Sequence, residues 1–264
     1  MKNKILVATL MLIIFACSTT PFSGNKAFLL TSPETENRQG EEAYNEILKT
    51  EKEVKGTKEA KLVELIGKRI AAVANQSDFK WEFRTLESAT PNAFCLPGGK
   101  VAVYTGILKY AKNEAGLATV MGHEIAHAIA RHGGQRMSQA MAANVAMAGL
   151  AMIGLSKMDP NKRQVVMAAL GAGITYGVIL PFSRAHESEA DEIGLTLMAR
   201  AGYDPREAVQ FWDRFAQADG GKAPPEFLST HPGSGKRRDQ LKSLLPKVMP
   251  EYEASSRYGV GSSL

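Results

Sequence analysis

Apolar positions recur at helical spacing through most of the chain. Residues 34–75 read as two helical pieces broken near Gly56. The second piece gathers Leu62, Leu65, Ile66, Ile70 and Val73 near one face, which predicts packing on the body of the domain. The period then changes. Residues 81–86 alternate apolar and polar, and residues 92–96 and 100–104 flank the turn signal Pro97-Gly98-Gly99, which predicts a small sheet with a hairpin. Helical spacing returns at 113–131, 138–155, 161–180, 184–201, 205–218 and 235–245. Breaks are expected at Gly133-Gly134, Asp159-Pro160, Pro181, Gly202 and Pro224-Pro225. The sum is an α+β domain, mostly helical, with a small β-sheet.

Two stretches, 140–155 and 165–183, are rich in Ala, Gly and Met and almost free of charge. A membrane-embedded hairpin is one reading. Each stretch is short, modestly apolar and interrupted by glycine, so buried or cleft-lining helices are the favoured one.

The N-terminus changes the picture. Lys2 and Lys4 precede an almost wholly apolar run from residue 5 to 16, and Cys17 follows at once. A basic start and a short apolar core describe an export signal, too short for a comfortable membrane span. Ile14-Phe15-Ala16-Cys17 resembles a bacterial lipobox, which implies cleavage before Cys17 and lipidation of its thiol. The alternative is an ordinary signal peptide, or an uncleaved anchor, that contains a cysteine. Ser18, by resemblance to enterobacterial lipoproteins, implies the outer membrane. The expected organisation is a signal peptide at 1–16, a lipidated N-terminus and flexible tether at 17–33, a catalytic domain at 34–250 and a flexible tail at 251–264. Cys95 is the only other cysteine, so lipidation of Cys17 leaves no intrachain disulfide. The formal charge of +5 falls to about +3 once the signal is removed, too mild to argue for nucleic acid as a partner.

The chemistry concentrates at His123-Glu124-Ile125-Ala126-His127. Histidines four residues apart on a helix are separated by about 400°, so both imidazoles leave one face, a turn apart. Two neutral imidazoles so placed can grip one zinc ion. Glu124 lies about 100° round from His123, where it can reach water beside a metal without ligating it, the position of a general base. The alternative is a pair of surface histidines beside a glutamate. A catalytic zinc needs a third protein ligand. His132 is a poor one, about 180° round an ideal helix from His123. Downstream, Glu187 and Asp191 share a helical face. One of them can bind zinc, and the other can accept a hydrogen bond from a ligating imidazole. Glu189 points elsewhere, Glu192 is a weaker alternative, and a solvated acidic face would explain the same pattern.

HEIAH followed about sixty residues later by SRAHESEAD resembles the HtpX/BepA/LoiP-like zinc metallopeptidases, a family with the pattern HExxH…ExxxD. The resemblance runs from about residue 92 to 245. It implies a zincin (gluzincin) fold, one zinc ion per subunit held by His123, His127 and Glu187, Glu124 as catalytic base, and Asp191 in support. Asn92, Ala93, Phe94, Gly98 and Gly99 match the family's strand and turn before the active-site helix, which implies an edge strand that pairs with extended peptide substrates. Ser229-Thr230-His231-Pro232 and Arg237 resemble a further motif. There the histidine either stabilises the tetrahedral oxyanion or ligates zinc in a resting state, and the arginine assists. The alternative for both is capping and anchoring the last helix.

These readings imply a zinc metalloendopeptidase of the bacterial cell envelope. It would be lipid-anchored at the outer membrane, face the periplasm and act on unfolded or misassembled envelope proteins. A chaperone or assembly factor working with the outer-membrane assembly machinery is the first alternative. A binding protein with structural zinc is the second.

Overall fold

The computed structural model describes residues 17–20, 23–154, 159, 161, 182–217, 231 and 234–264. The expected signal peptide, most of the helix expected at 161–180, and Ser229, Thr230 and Pro232 lie outside the described residues. The elements run β1 (Cys17–Thr19), β2 (Lys26–Phe28), α1 (Pro33–Thr50), β3 (Glu53–Val54), α2 (Lys58–Val73), β4 (Glu82–Leu86), β5 (Ala93–Leu96), β6 (Lys100–Tyr104), α3 (Thr105–Ala111), α4 (Glu114–Ile129), α5 (His132–Gly154), α6 (Arg184–Arg200), α7 (Arg206–Gln217) and α8 (Ser234–Ala254).

Four strands form one sheet in the order β3-β4-β6-β5. β4 lies parallel to β6, and β5 returns antiparallel to β6, with Ala93 opposite Val103 and Leu96 opposite Lys100. The expected hairpin is present. Gly98 and Gly99 carry φ of 83° and 84°, a backbone region where glycine is favoured. A side chain at Gly99 would also strike the Trp81 ring. β5 stands at one end of the sheet, against α4.

Helix α4 is the axis of the domain. Asn113 caps it by accepting from the Gly116 N–H, and every residue from Ala115 to Ile129 is buried. Such a helix is apolar all round because α2, α6, α7 and the sheet cover it from several sides. Leu117, Met121 and Ile125 are fully enclosed, each contributing about 1.5–3 kcal/mol of burial free energy. Against it runs α6, capped by Ser183, with Glu187, Ala190, Asp191, Gly194 and Met198 among its buried residues. The two backbones touch at Gly122 and Gly194. A Cβ on Gly194 would lie 2.8 Å from the His123 nitrogen, so only glycine permits this approach. That close crossing brings the carboxylates of α6 beside the imidazoles of α4.

Several boundaries differ from expectation. On α2 the buried face is Val63, Ile66, Gly67 and Ile70, and Leu65 points out. The break expected at Gly133-Gly134 falls at Arg131, whose φ is 55°, and both glycines lie inside α5. The last helix continues through Pro246 and Pro250 to Ala254. Segments expected to be flexible are seated on the body. β1 and β2 pair, and the Leu30 N–H donates to Ser138 Oγ. At the other end, the Tyr258 and Leu264 N–H groups donate to the carbonyls of Gly202 and Lys112, and Arg69 stacks on Tyr258. Among the described residues no helix is long and apolar enough to cross a membrane.

Candidate metal centre

His123, His127, Glu187 and His231 each offer one donor atom, and these four atoms lie within 4.8 Å of one another. His127 Nε2 is 3.0 Å from His123 Nε2, which is 3.2 Å from His231 Nδ1. The Glu187 carboxylate reaches all three rings: 3.4 Å to His123, 3.4 Å to His127 and 3.0 Å to His231. All four side chains are buried.

Burial by itself would raise the Glu187 carboxyl, but hydrogen bonds with the three histidines hold it far below the usual range, so it stays ionised. Burial also holds His127 neutral, well below its ordinary value, which is the state an imidazole needs to ligate. Three imidazoles and one carboxylate are a donor set suited to zinc.

Glu124 stands beside this cluster. It is buried, its Oε1 lies 3.4 Å from His231 Nε2, and it completes no hydrogen bond with the described residues. A buried carboxylate oxygen left without a partner is costly, and here it borders the donor cluster. Burial raises the Glu124 carboxyl above its usual range, against the pull of His231 and His123. The donor set and this unmatched oxygen together fit a metal ion and a polar reactant between them.

A second layer holds the first. Asp191 Oδ1 lies 3.1 Å from His123 Nδ1, the position for accepting that N–H and leaving Nε2 to the cluster. Arg237 donates from Nε to Asp191 Oδ2 at 2.8 Å, pairs with Glu187 Oε2 at 2.8 Å and stacks on Trp212 at 3.8 Å. It balances two buried carboxylates, which could not remain charged without such a partner. The Phe182 ring lies over His127 at 4.1 Å. The supporting roles of Phe182 and Trp212 carry no motif and were invisible to the sequence reading.

The strand residues are placed less uniformly. Ala93 is buried, and Cys95 packs with the main core below α4. Phe94 turns the other way, into a smaller cluster with Tyr44, Leu86 and Ala102. The Asn92 carbonyl accepts from the Tyr104 N–H, and Gly98 lies against Asn37. These residues serve the hairpin itself, and β5 stands last in the strand order.

A sequence profile for Peptidase family M48 matches residues 57–245. The chain belongs to peptidase family M48. This is a family of zinc metallopeptidases, and the donor cluster lies within the matched span. Similar proteins are named as peptidases. The mitochondrial metalloendopeptidase OMA1 of Schizosaccharomyces pombe is 37% identical over 243 residues, covering 90% of this chain and 69% of that protein. The OMA1 of Arabidopsis thaliana is 40% identical over 65% of this chain and 33% of its own length. The beta-barrel assembly-enhancing protease of Escherichia coli is 32% identical over 71% of this chain and 40% of its own length. As a member of M48, the chain is a metalloprotease with zinc as its cofactor.

Proposed function

We propose that this M48 member is a zinc endopeptidase of the bacterial cell envelope that cleaves unfolded or misassembled envelope proteins. The observation that carries the reading is the convergence of His123, His127 and Glu187 from two helices, with Glu124 buried beside them. Those three residues would hold the ion, and when bound it supplies Lewis acidity at the substrate carbonyl. Glu124 takes a proton from the attacking water as the new carbon–oxygen bond forms. It delivers that proton to the departing amine as the carbon–nitrogen bond breaks. Its raised proton affinity suits both tasks. Asp191 and Arg237 act as positioning residues. The outer edge of β5 grips an extended peptide through main-chain hydrogen bonds, which accepts many sequences.

His231 is the fourth donor. Its position favours a resting arrangement in which it occupies a ligand site and gives way to substrate, over a role confined to the oxyanion. Four protein donors would also suit structural zinc. The buried Glu124 argues against that, because a structural site has no use for a carboxylate held beside the donor cluster with an oxygen that makes no hydrogen bond.

Envelope location rests on the basic, apolar and cysteine-terminated N-terminal pattern, with lipid on Cys17 and the periplasmic face of the outer membrane as the specific reading. An assembly role is the second reading, favoured by a relative whose name describes enhancement of β-barrel assembly. Glu124→Gln separates them. The variant is expected to keep zinc and to lose casein cleavage by at least about 100-fold. Normal cleavage would remove the mechanism. Full rescue of a deletion strain by the inactive variant would make assembly, not proteolysis, the main task.

A further inference from the structure

His132 is fully buried, yet it reaches back under the metal centre. Its Nδ1 lies 2.9 Å from His127 Nδ1, and its Nε2 lies 3.1 Å from Glu189 Oε2. Glu189 Oε1 in turn accepts hydrogen bonds from Thr20 Oγ1 at 2.7 Å and from Ser23 Oγ. With His127 Nε2 given to a bound ion, one proton arrangement satisfies the chain. His127 turns Nε2 toward the cluster, so its proton sits on Nδ1 and is donated to His132 Nδ1. His132 then carries its own proton on Nε2 and donates it to the Glu189 carboxylate. That carboxylate, 9% exposed, is completed by two hydroxyls of the N-terminal segment. The same segment is fastened a second time: Arg131 donates to Glu36 Oε1 and Oε2 at 2.8 and 2.9 Å, and to the Thr31 carbonyl at 2.7 Å.

We propose that His132 and Glu189 are positioning residues that set the tautomer and orientation of His127, and that the β1–β2 hairpin holds Glu189 in place. His123 has Asp191 for this purpose, and the chain Glu189–His132 does the same for His127. Partners that fix the ring of a ligating histidine keep its free nitrogen aimed at the ion and raise its basicity. The consequence is that Thr20 and Ser23, close to the proposed lipid attachment at Cys17, are mechanically joined to the metal centre. The inference rests on His127 being a zinc ligand.

The test uses the chain from Met1 to Leu264 with His132→Phe, His132→Gln, Glu189→Ala and the pair Thr20→Val with Ser23→Ala. Zinc affinity is read by chelator competition, and the hydrogen bond from His127 Nδ1–H by nitrogen-15 NMR of the zinc-loaded protein. His132→Phe keeps the ring packing but neither hydrogen bond, and is expected to bind zinc about 10–100-fold more weakly. His132→Gln can accept and donate at similar positions and is expected to recover most of that loss. Wild type should show the His127 Nδ1 proton in a hydrogen bond, and His132→Phe should lose that bond. Glu189→Ala should weaken zinc binding about tenfold, and the hydroxyl pair less. If His132→Phe does not fold, Glu189→Ala, at the outer end of the chain, decides the matter. Zinc affinity within about twofold of wild type in the folded variants, with the His127 Nδ1 proton signal unchanged, overturns the proposal. Failure of wild type itself to take up zinc removes the metal reading and this proposal with it, whereas a normal wild type with indifferent variants removes this proposal alone.

Discussion

Arg237 shows how much of the centre depends on side chains that touch no reactant. Its guanidinium is buried among Asp191, Glu187 and the Trp212 ring. Removing one partner of such a group leaves the others charged and unpaired in a dry interior. Arg237→Ala is therefore expected to cost about 3–5 kcal/mol in the zinc-free protein, measured by urea unfolding. Arg237→Lys keeps the charge but loses the planar fork and the stacking, so it should recover only part of the loss. Equal stability of wild type and Arg237→Ala would show that the two carboxylates do not need this cation. At this scale the sequence was informative about spacing and silent about paths between helices. His123, Glu124 and His127 were legible because three positions on one helix fix their mutual directions. His132 was not. Extending an ideal helix puts it on the far side, but α4 ends at Ile129, the chain turns at Arg131, and the ring swings back beneath His127.

The crossing of α4 and α6 is the element-scale feature on which the centre depends. Gly194→Ala adds a Cβ that meets His123 N at 2.8 Å and Gly122 carbonyl atoms at 2.9 Å. Alanine improves helix propensity by about 1 kcal/mol. The contact is with rigid backbone, however, and forcing a methyl into a packed interface costs about 1–3 kcal/mol, so a net loss of stability is expected. Because the helices must part, zinc affinity should fall as well. Gly133→Ala is the control: its Cβ meets nothing within 4 Å, so a neutral or slightly positive change is expected. Calorimetry of both variants checks this, and indifference at Gly194 would contradict the close-crossing account. Element types were largely readable from periodicity. The seven-residue α3 was missed because so short a segment gives no reliable period, and α8 was cut short because its prolines read as stops.

On the scale of the whole molecule, described residues near each end of the chain, Thr20 and Ser23 on one side and Tyr258 and Leu264 on the other, are bonded to the folded unit. The N-terminal hairpin touches Glu189 and the C-terminal segment closes on Lys112. The Ser, Thr, Pro and Gly content of residues 18–33 reads as a tether, because a few hydrogen bonds to a distant surface leave no periodic trace. If Cys17 carries lipid, Cys17→Ser should move the protein from the membrane fraction to the soluble fraction while leaving casein cleavage by the purified protein unchanged. Retention in the membrane fraction would point instead to an uncleaved anchor. The domain as a whole exists to bring residues from α4, α6 and the segment before α8 to one point. That convergence is tested most directly by zinc bound per chain after dialysis against a weak chelator, for wild type and Glu187→Ala. The account predicts one zinc per wild-type chain and little or none in the variant. No zinc in wild type, or an undiminished content in Glu187→Ala, would contradict it.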